Sequence, residues 1–426
     1  MALADLSDWL DEQSRKETLW FAKRLSANDT LANGTHQAGP YIPKNTLFAI
    51  FPGLNRPEEN NPEVRFIMKV DSHGDHREIR AVWYNNKLSG RTRDEARLTN
   101  FGGRSSPFLH PDNTGSLVLM VFQAVTDSSV PVCHAWVCKN AFEEDLIEDL
   151  LGPVEPGKGF LWSPEVPVGR DLVVPPQEVR SRCWLVDHEI PLEWFRRFPS
   201  GAEIIRKTLE FRPLRNEVSD KRLLKRRECE YEIFQSVEEA VELPVILKGF
   251  SSVNEFVDRA QSILQRRKSR SGRSLELHLR EIFLEDGLSE GRNFSSQSES
   301  EPGKRPDFIF PSEAAYKEPS FPSEKLRMLA AKTTCKDRWR QILNEADRIR
   351  TKHLLTLQEG VSENQFREMS ESGVRLVVPE DLHHAYPGSV RPLLLSLESF
   401  IGNIRILGSF SPYGGESIAA EEEKRF

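Results

Sequence analysis

Apolar and polar positions alternate with period two through much of the first 150 residues. VRFIMKVDS (64–72) and EIRAVWYNN (78–86) flank a His73-Gly74-Asp75 turn and predict a hairpin. SLVLMVFQAV (116–125) and VPVCHAWVC (130–138) predict a second pair of strands. Helix is expected only in the first 20 residues and over AFEEDLIEDLLG (141–152), which ends on Gly. Residues 152–180 lose all periodicity and crowd Gly and Pro together, as a linker does. From about 190 the period lengthens to that of amphipathic helices, at 219–241, 251–268 and 273–286, the last with Leu275, Leu279 and Ile282 on one stripe. Short apolar strands follow at PDFIFP (306–311), LRMLAAK (326–332), HLLTLQ (353–358) and VRLVVP (374–379), with a helix expected from Lys336 to about Arg350. The pattern predicts a mostly-β N-terminal domain over 1–160, a linker over 161–185, an α/β domain over 186–410 and an acidic, disordered tail over 411–426.

Composition narrows the function classes. No run of about 18 apolar residues exists and the start, MALADLSDWLDEQSRKE, lacks a secretory apolar core, so a cytoplasmic protein without a membrane partner is expected. The five cysteines (133, 138, 183, 229, 335) are odd in number and scattered, and read as free thiols. Alternation places Cys133 and Cys138 on opposite faces of a strand, which favours core packing over zinc. Net charge is −7, but it is unevenly spread. Six acids (143, 144, 145, 148, 149, 155) and no Lys or Arg fall in 141–157, whereas 76–104 and 332–352 each hold seven Lys/Arg against three acids. The global acidity is an average over separated patches and leaves DNA open as a partner. The acidic segment is a candidate for docking onto a basic cleft.

Metal-dependent phosphodiester hydrolysis needs carboxylates for Mg²⁺ and a cation near the attacking water. Asp307 before one strand and Lys332 at the end of another supply an acid and a base. The usual acid two residues before such a Lys is replaced here by Ala330. Glu345, 13 residues after Lys332 on the expected helix, shares a face with 338, 341 and 342 and is the candidate replacement. Lys336, Asp337 and Arg338 open that helix, and Lys or Arg can read guanine while Asp reads cytosine in a major groove. Trp339 is read as the core anchor that orients it.

The runs SLELHL (274–279), GKRPDFIFPS (303–312), LRMLAAKTTCKDRWRQILNEAD (326–347), LTLQEGVS (355–362) and SGVRLVVP (372–379) closely resemble the EcoRII family of type IIE restriction endonucleases. KRLSANDT (23–30), YIP (41–43), NTG (113–115), WVC (136–138) and FPSG (198–201) extend the likeness over most of the chain. The resemblance implies a β pseudobarrel effector domain that binds a second DNA site, followed by a catalytic domain of the PD-(D/E)xK restriction-endonuclease fold. It implies Mg²⁺-dependent cutting before the first C of CCWGG, a homodimer, autoinhibition, and a cognate cytosine methyltransferase in the same bacterium. Asp307, Lys332 and Glu345 become the catalytic set, Asp307 and Glu345 the metal ligands, with Glu276 and Tyr316 beside them. Lys336, Asp337 and Arg338 become the base-reading trio, and Arg227 and Tyr231 candidates for lining a pocket for a flipped base. The effector arms would carry Lys23, Arg24, Ser26, Asn28, Asp29, His36 and Tyr41, then Arg91, Arg93, Asp94, Glu95 and Arg97. Ala96 stands where the family pattern has a Lys. Two other functions remain open at this point: a DNA-binding regulator that does not cut, and a methylation-dependent nuclease.

Overall fold

The structure, a computed structural model, describes residues 2–14, 18–34, 39–90, 92–123, 130–163 and 183–409. The N-terminal half is built on β1 (Thr18–Arg24), β2 (Glu63–Val70), β3 (Asp75–Tyr84), β4 (Glu95–Thr99), β5 (Leu117–Gln123), β6 (Val132–Val137) and β7 (Gly159–Trp162). They form one sheet in the order β4-β3-β2-β6-β5-β1-β7, antiparallel throughout except for the β2/β6 pair. The expected hairpin and the second expected strand pair are both present, each paired antiparallel. Strand β5 explains why a sheet this apolar is stable, because successive side chains enter two different cores. Val118, Met120 and Phe122 join Phe21, Phe66 and Cys133 on one face, under helix α2 (Lys44–Ile50). Leu117, Leu119 and Val121 join Trp9, Trp20, Trp136 and Cys138 on the other. Helices α1 (Ala2–Ser14) and α3 (Ala141–Leu151) cover that second face with Leu6 and Ile147. Asn140 caps α3 by accepting from the amides of Phe142 and Glu143.

The C-terminal half opens with helices α4 (Leu192–Arg196), α5 (Gly201–Phe211), α6 (Ser219–Lys248) and α7 (Val253–Glu285). Strands β8 (Ser295–Ser296), β9 (Phe308–Phe310), β10 (Arg327–Lys332), β11 (Lys352–Thr356) and β12 (Val374–Val377) follow, with helices α8 (Glu313–Lys317), α9 (Glu363–Glu371) and α10 (Leu397–Ser409). The sheet order is β12-β11-β10-β9-β8, parallel from β10 to β12 and antiparallel at β9 and β8. Alternation again feeds two cores. Ile309, Met328, Ala330, Leu354 and Leu376 pack with Trp339 and Ile342. Phe308, Phe310, Leu329, Ala331, Leu355 and Val377 pack with the Leu275, Leu279, Ile282 and Phe283 stripe of α7. No helix among the described residues is long and apolar enough to cross a membrane.

The fold corrects several expectations. The first 20 residues are not all helix, because Thr18 already starts β1 on an apolar run that pairs with β5. Gly159–Trp162 pairs with β1, so the N-terminal sheet runs past 160 into the stretch expected to link the domains. The remainder of that linker from 164 to 182, and the tail 411–426, lie outside the described residues. The segments 251–268 and 273–286 are one helix, since the Ser and Gly between them do not break it. The expected helix from Lys336 to Arg350 is only a 3₁₀ segment, Arg338–Asn344, after which Glu345 is extended and Ala346 takes φ 50°. Cys183 and Cys229 are joined in a disulfide, so only Cys133, Cys138 and Cys335 are free, all buried.

Candidate active site and the docked domains

Asp307 precedes β9, and the antiparallel β9/β10 register sets it beside the end of β10. It is buried, and its Oδ2 accepts from the Ala331 amide at 2.8 Å and from Lys332 Nζ at 3.4 Å. Its Oδ1 accepts from Gln297 Nε2 at 3.0 Å, and the same amide donates to Glu276 Oε2 at 2.8 Å. Glu345 arrives from the turn after the 3₁₀ segment. Buried Lys352 holds that turn by donating to the carbonyls of Glu345 and Ala346, the latter at 2.7 Å. Burial pushes the Glu345 carboxyl up to about 7, and the Asp307 charge adds to the push against the opposing pull of Lys332. Burial, then Asp307, also raises Glu276. Sequence-distant Glu276, Asp307, Lys332 and Glu345 thus share one electrostatic site.

The donor set suits a hard divalent cation. Among the described residues no three His, Cys, Asp or Glu side chains close into a metal sphere. Mg²⁺ does not require one, because it is commonly held by one or two carboxylates, waters and substrate phosphate. Two carboxyls raised by burial beside a third carboxylate are an excess of negative charge that such a cation would balance. Tyr316 is not part of this cluster. Its hydroxyl donates to Glu301 Oε1 and accepts from the Arg348 amide at 3.2 Å, and its ring belongs to the core with Trp339.

The acidic segment of the N-terminal half lies on the base-reading candidates. Arg338 Nη2 pairs with Asp145 at 3.0 Å and Glu148 at 3.4 Å. Lys336 Nζ donates to Ser116 Oγ and, at 3.2 Å, to the Cys138 carbonyl. Asp337 accepts from Arg340 at 3.1 Å. Arg227 and Arg270 both reach Glu155, at 3.1 and 2.9 Å, while Tyr231 lies under Arg270 at 4.5 Å. Burial alone would raise the Glu155 carboxyl, but the two guanidiniums outweigh it and hold it below its ordinary value. Close approach of the halves also depends on Gly360, whose φ is 101° and where a Cβ would come within 2.4 Å of Ala27 Cβ.

The arm residues line a cleft of about 1140 Å³ between β1, β4 and their loops. Ser26, Asn28, Tyr41 and Arg97 face it, and Tyr41 is 61% exposed. Lys23 is turned inward, tied to Asp29 at 2.6 Å and the Tyr41 carbonyl at 3.1 Å, and Asp29 in turn accepts from the Ser26 and Tyr41 amides. Arg24 is buried and spoken for by Glu144 at 2.6 Å, Glu148 at 2.8 Å and the Val154 and Gly115 carbonyls. On the cleft wall, it serves here as an internal strut whose guanidinium is fully paired. Asp94 accepts from Lys44 and Trp83, Arg97 pairs with Glu95 at 2.8 Å, and Arg93 lies over Tyr84 at 5.4 Å. Ala96 is buried in the core of the N-terminal sheet. His36 and Arg91 lie outside the described residues.

Comparison with known proteins decides the family. The profile described as Restriction endonuclease EcoRII, N-terminal matches residues 14–166, and that described as EcoRII C terminal matches 234–401. The type II restriction enzyme EcoRII of Escherichia coli is 45% identical over 408 residues, covering 95% of this chain and 98% of that enzyme. The chain belongs to the EcoRII family of type II restriction endonucleases. Among solved structures, metal-depleted Ecl18kI in complex with uncleaved DNA is 19% identical, with a TM-score of 0.43 over 53% of this chain and 83% of that one. The UbaLAI restriction endonuclease B3 domain with cognate DNA is also 19% identical, with a TM-score of 0.26 over 37% of this chain and 98% of that one.

For an EcoRII-family chain, two side chains near these sites escaped sequence reasoning. Gln297 touches both Glu276 and Asp307 and has no motif of its own. Glu359, in the loop after β11, belongs to the C-terminal half yet lines the N-terminal cleft, and its carbonyl accepts from the Ala27 amide at 2.8 Å. Burial raises its carboxyl, against the pull of Lys23. The only available signal was that both occur in Ser- or Gly-rich turns beside apolar strands.

Proposed function

We propose that this chain is a Mg²⁺-dependent homodimeric endonuclease that cuts double-stranded DNA before the first C of CCWGG. The carrying observation is the convergence of Glu276, Asp307, Lys332 and Glu345 from four separate segments onto one charged site. Asp307 and Glu345 would hold the metal, which would supply Lewis-acid polarisation of the phosphate and activation of the attacking water. Lys332 orients the attacking water and balances charge gathering on the transferred phosphate. Its position 3.4 Å from Asp307 supports that role. Lys336, Asp337 and Arg338 read G·C pairs, Arg227 and Tyr231 line the pocket for the central base, and a two-fold dimer matches the near-palindromic site. A cognate cytosine methyltransferase protects the host's own sites.

The docked arrangement supports an inactive resting state. The N-terminal domain is an effector pseudobarrel whose cleft, lined by Ser26, Asn28, Tyr41 and Arg97, takes a second copy of the site. Asp145, Glu148 and Glu155 occupy cations that DNA needs. Glu359 presents a carboxylate where effector phosphates enter, so effector DNA and docking oppose one another, and each weakens the other equally. The test is cleavage of a multi-site CCWGG plasmid with and without Mg²⁺, by wild type and Lys332→Ala. Wild type cuts and the variant binds without cutting. A wild type that binds but never cuts would overturn the proposal, and dependence on methylated sites would replace it with a methylation-dependent nuclease.

A further inference from the structure

One side-chain amide bridges two of the three carboxylates of the site. Gln297 Nε2 lies 2.8 Å from Glu276 Oε2 and 3.0 Å from Asp307 Oδ1. A primary amide carries two hydrogens, one for each carboxylate. Asp307 Oδ2 is already committed to the Ala331 amide and Lys332. Oδ1 is therefore the oxygen left to face a cation, and it is the one that Gln297 takes. The backbone fixes the amide there. The Gln297 N–H donates to the Asp307 carbonyl at 3.0 Å, and its φ of 51° lies in the left-handed region, an unfavourable one for a residue with a Cβ.

We propose that Gln297 is a positioning residue for the cleavage reaction, its amide tying Glu276 to Asp307 and occupying Asp307 Oδ1, the oxygen that a metal held by Asp307 and Glu345 would need. The inference rests on the nuclease reading of this site. In the metal-free protein the amide screens two like charges that would otherwise drive Glu276 away. For Asp307 to hold a metal through Oδ1, the Gln297 amide would have to give up that oxygen. It has room to do so. Gln297 is exposed, and the adjoining cavity of about 400 Å³ is lined by Arg206, Arg273 and Glu276. An amide held on that oxygen would oppose metal loading in the DNA-free protein.

The test is Mn²⁺ binding to the full chain without DNA, read by electron paramagnetic resonance, so that no turnover is involved. Gln297→Gly removes the amide and accepts the left-handed backbone without strain. Loss of a competing charge-assisted donor pair should tighten Mn²⁺ binding roughly fivefold to tenfold. Gln297→Asn keeps an amide too short to span both carboxylates and should fall on the same side of wild type. A merely structural Gln297 would give unchanged or weaker binding in both variants, and that result overturns the proposal. Asp307→Asn separates the two claims. If it binds Mn²⁺ like wild type, the metal site itself is misplaced. If it loses binding while Gln297→Gly gains none, only the role of Gln297 falls.

Discussion

Glu155→Gln is the sharpest perturbation of the docked state. Both side-chain partners of Glu155, Arg227 and Arg270, are in the C-terminal half, so the change touches docking and leaves the N-terminal fold alone. The three side chains are well shielded, at 17%, 5% and 7% exposure. Removing one partner of a buried ion pair costs about 3–5 kcal/mol. Here the loss is smaller, because Glu230 still faces both guanidiniums, at 2.9 and 3.5 Å, and Gln keeps one acceptor. A value of about 2–3 kcal/mol shifts the docked equilibrium roughly 30- to 150-fold. The contact of Lys268 with Asp149 makes the internal control. Both are about half exposed, and such a pair is worth about 0–1 kcal/mol. The assay compares initial cleavage of one-site and two-site DNA. Glu155→Gln should raise the one-site rate by up to that factor and barely move the two-site rate, whereas Asp149→Asn should do little. An unchanged one-site rate with circular dichroism and melting like wild type would refute the reasoning.

Further expectations concern the site itself. Glu345 keeps its proton to about 7 in the folded chain but releases it near 4.5 when unfolded, so metal-free stability should fall as pH rises through that window. Melting in EDTA from pH 4.5 to 8 should show this slope, reduced in Glu345→Gln; an identical slope in the variant would locate the effect elsewhere. Arg338→Ala should lose about 1–3 kcal/mol of discrimination against a wrong G·C pair, measured by competition binding, with equal selectivity removing Arg338 from the reading set. Trp339 is buried in the core behind the trio, and Trp339→Ala should cost about 3–5 kcal/mol in denaturant unfolding; a change below about 1 would contradict its role as anchor.

Periodicity carried most of the fold. Alternation placed Cys133 and Cys138 on opposite faces, and the structure puts them in opposite cores, because one face of a strand is set by every second residue. What periodicity could not carry was set by tertiary contacts. Glu345 reaches the site from a turn held by Lys352 and a left-handed Ala346, where helical spacing had suggested a helix face. The disulfide joins cysteines 46 residues apart, a pairing no local pattern encodes. Arg24 and Lys23 look like surface cations in sequence, but carboxylates from α3 and from Asp29 draw them inward. The acidic run 143–155 was visible as a charge patch, and only the packed structure shows which arginines it covers.

Digestion of a DNA of known sequence, carrying several CCWGG sites, tests the central claim most directly. With Mg²⁺ and wild-type protein, mapped ends should fall before the first C on both strands, and Lys332→Ala should leave the DNA whole. Ends at other sequences, or the same cuts from Lys332→Ala, would contradict the account.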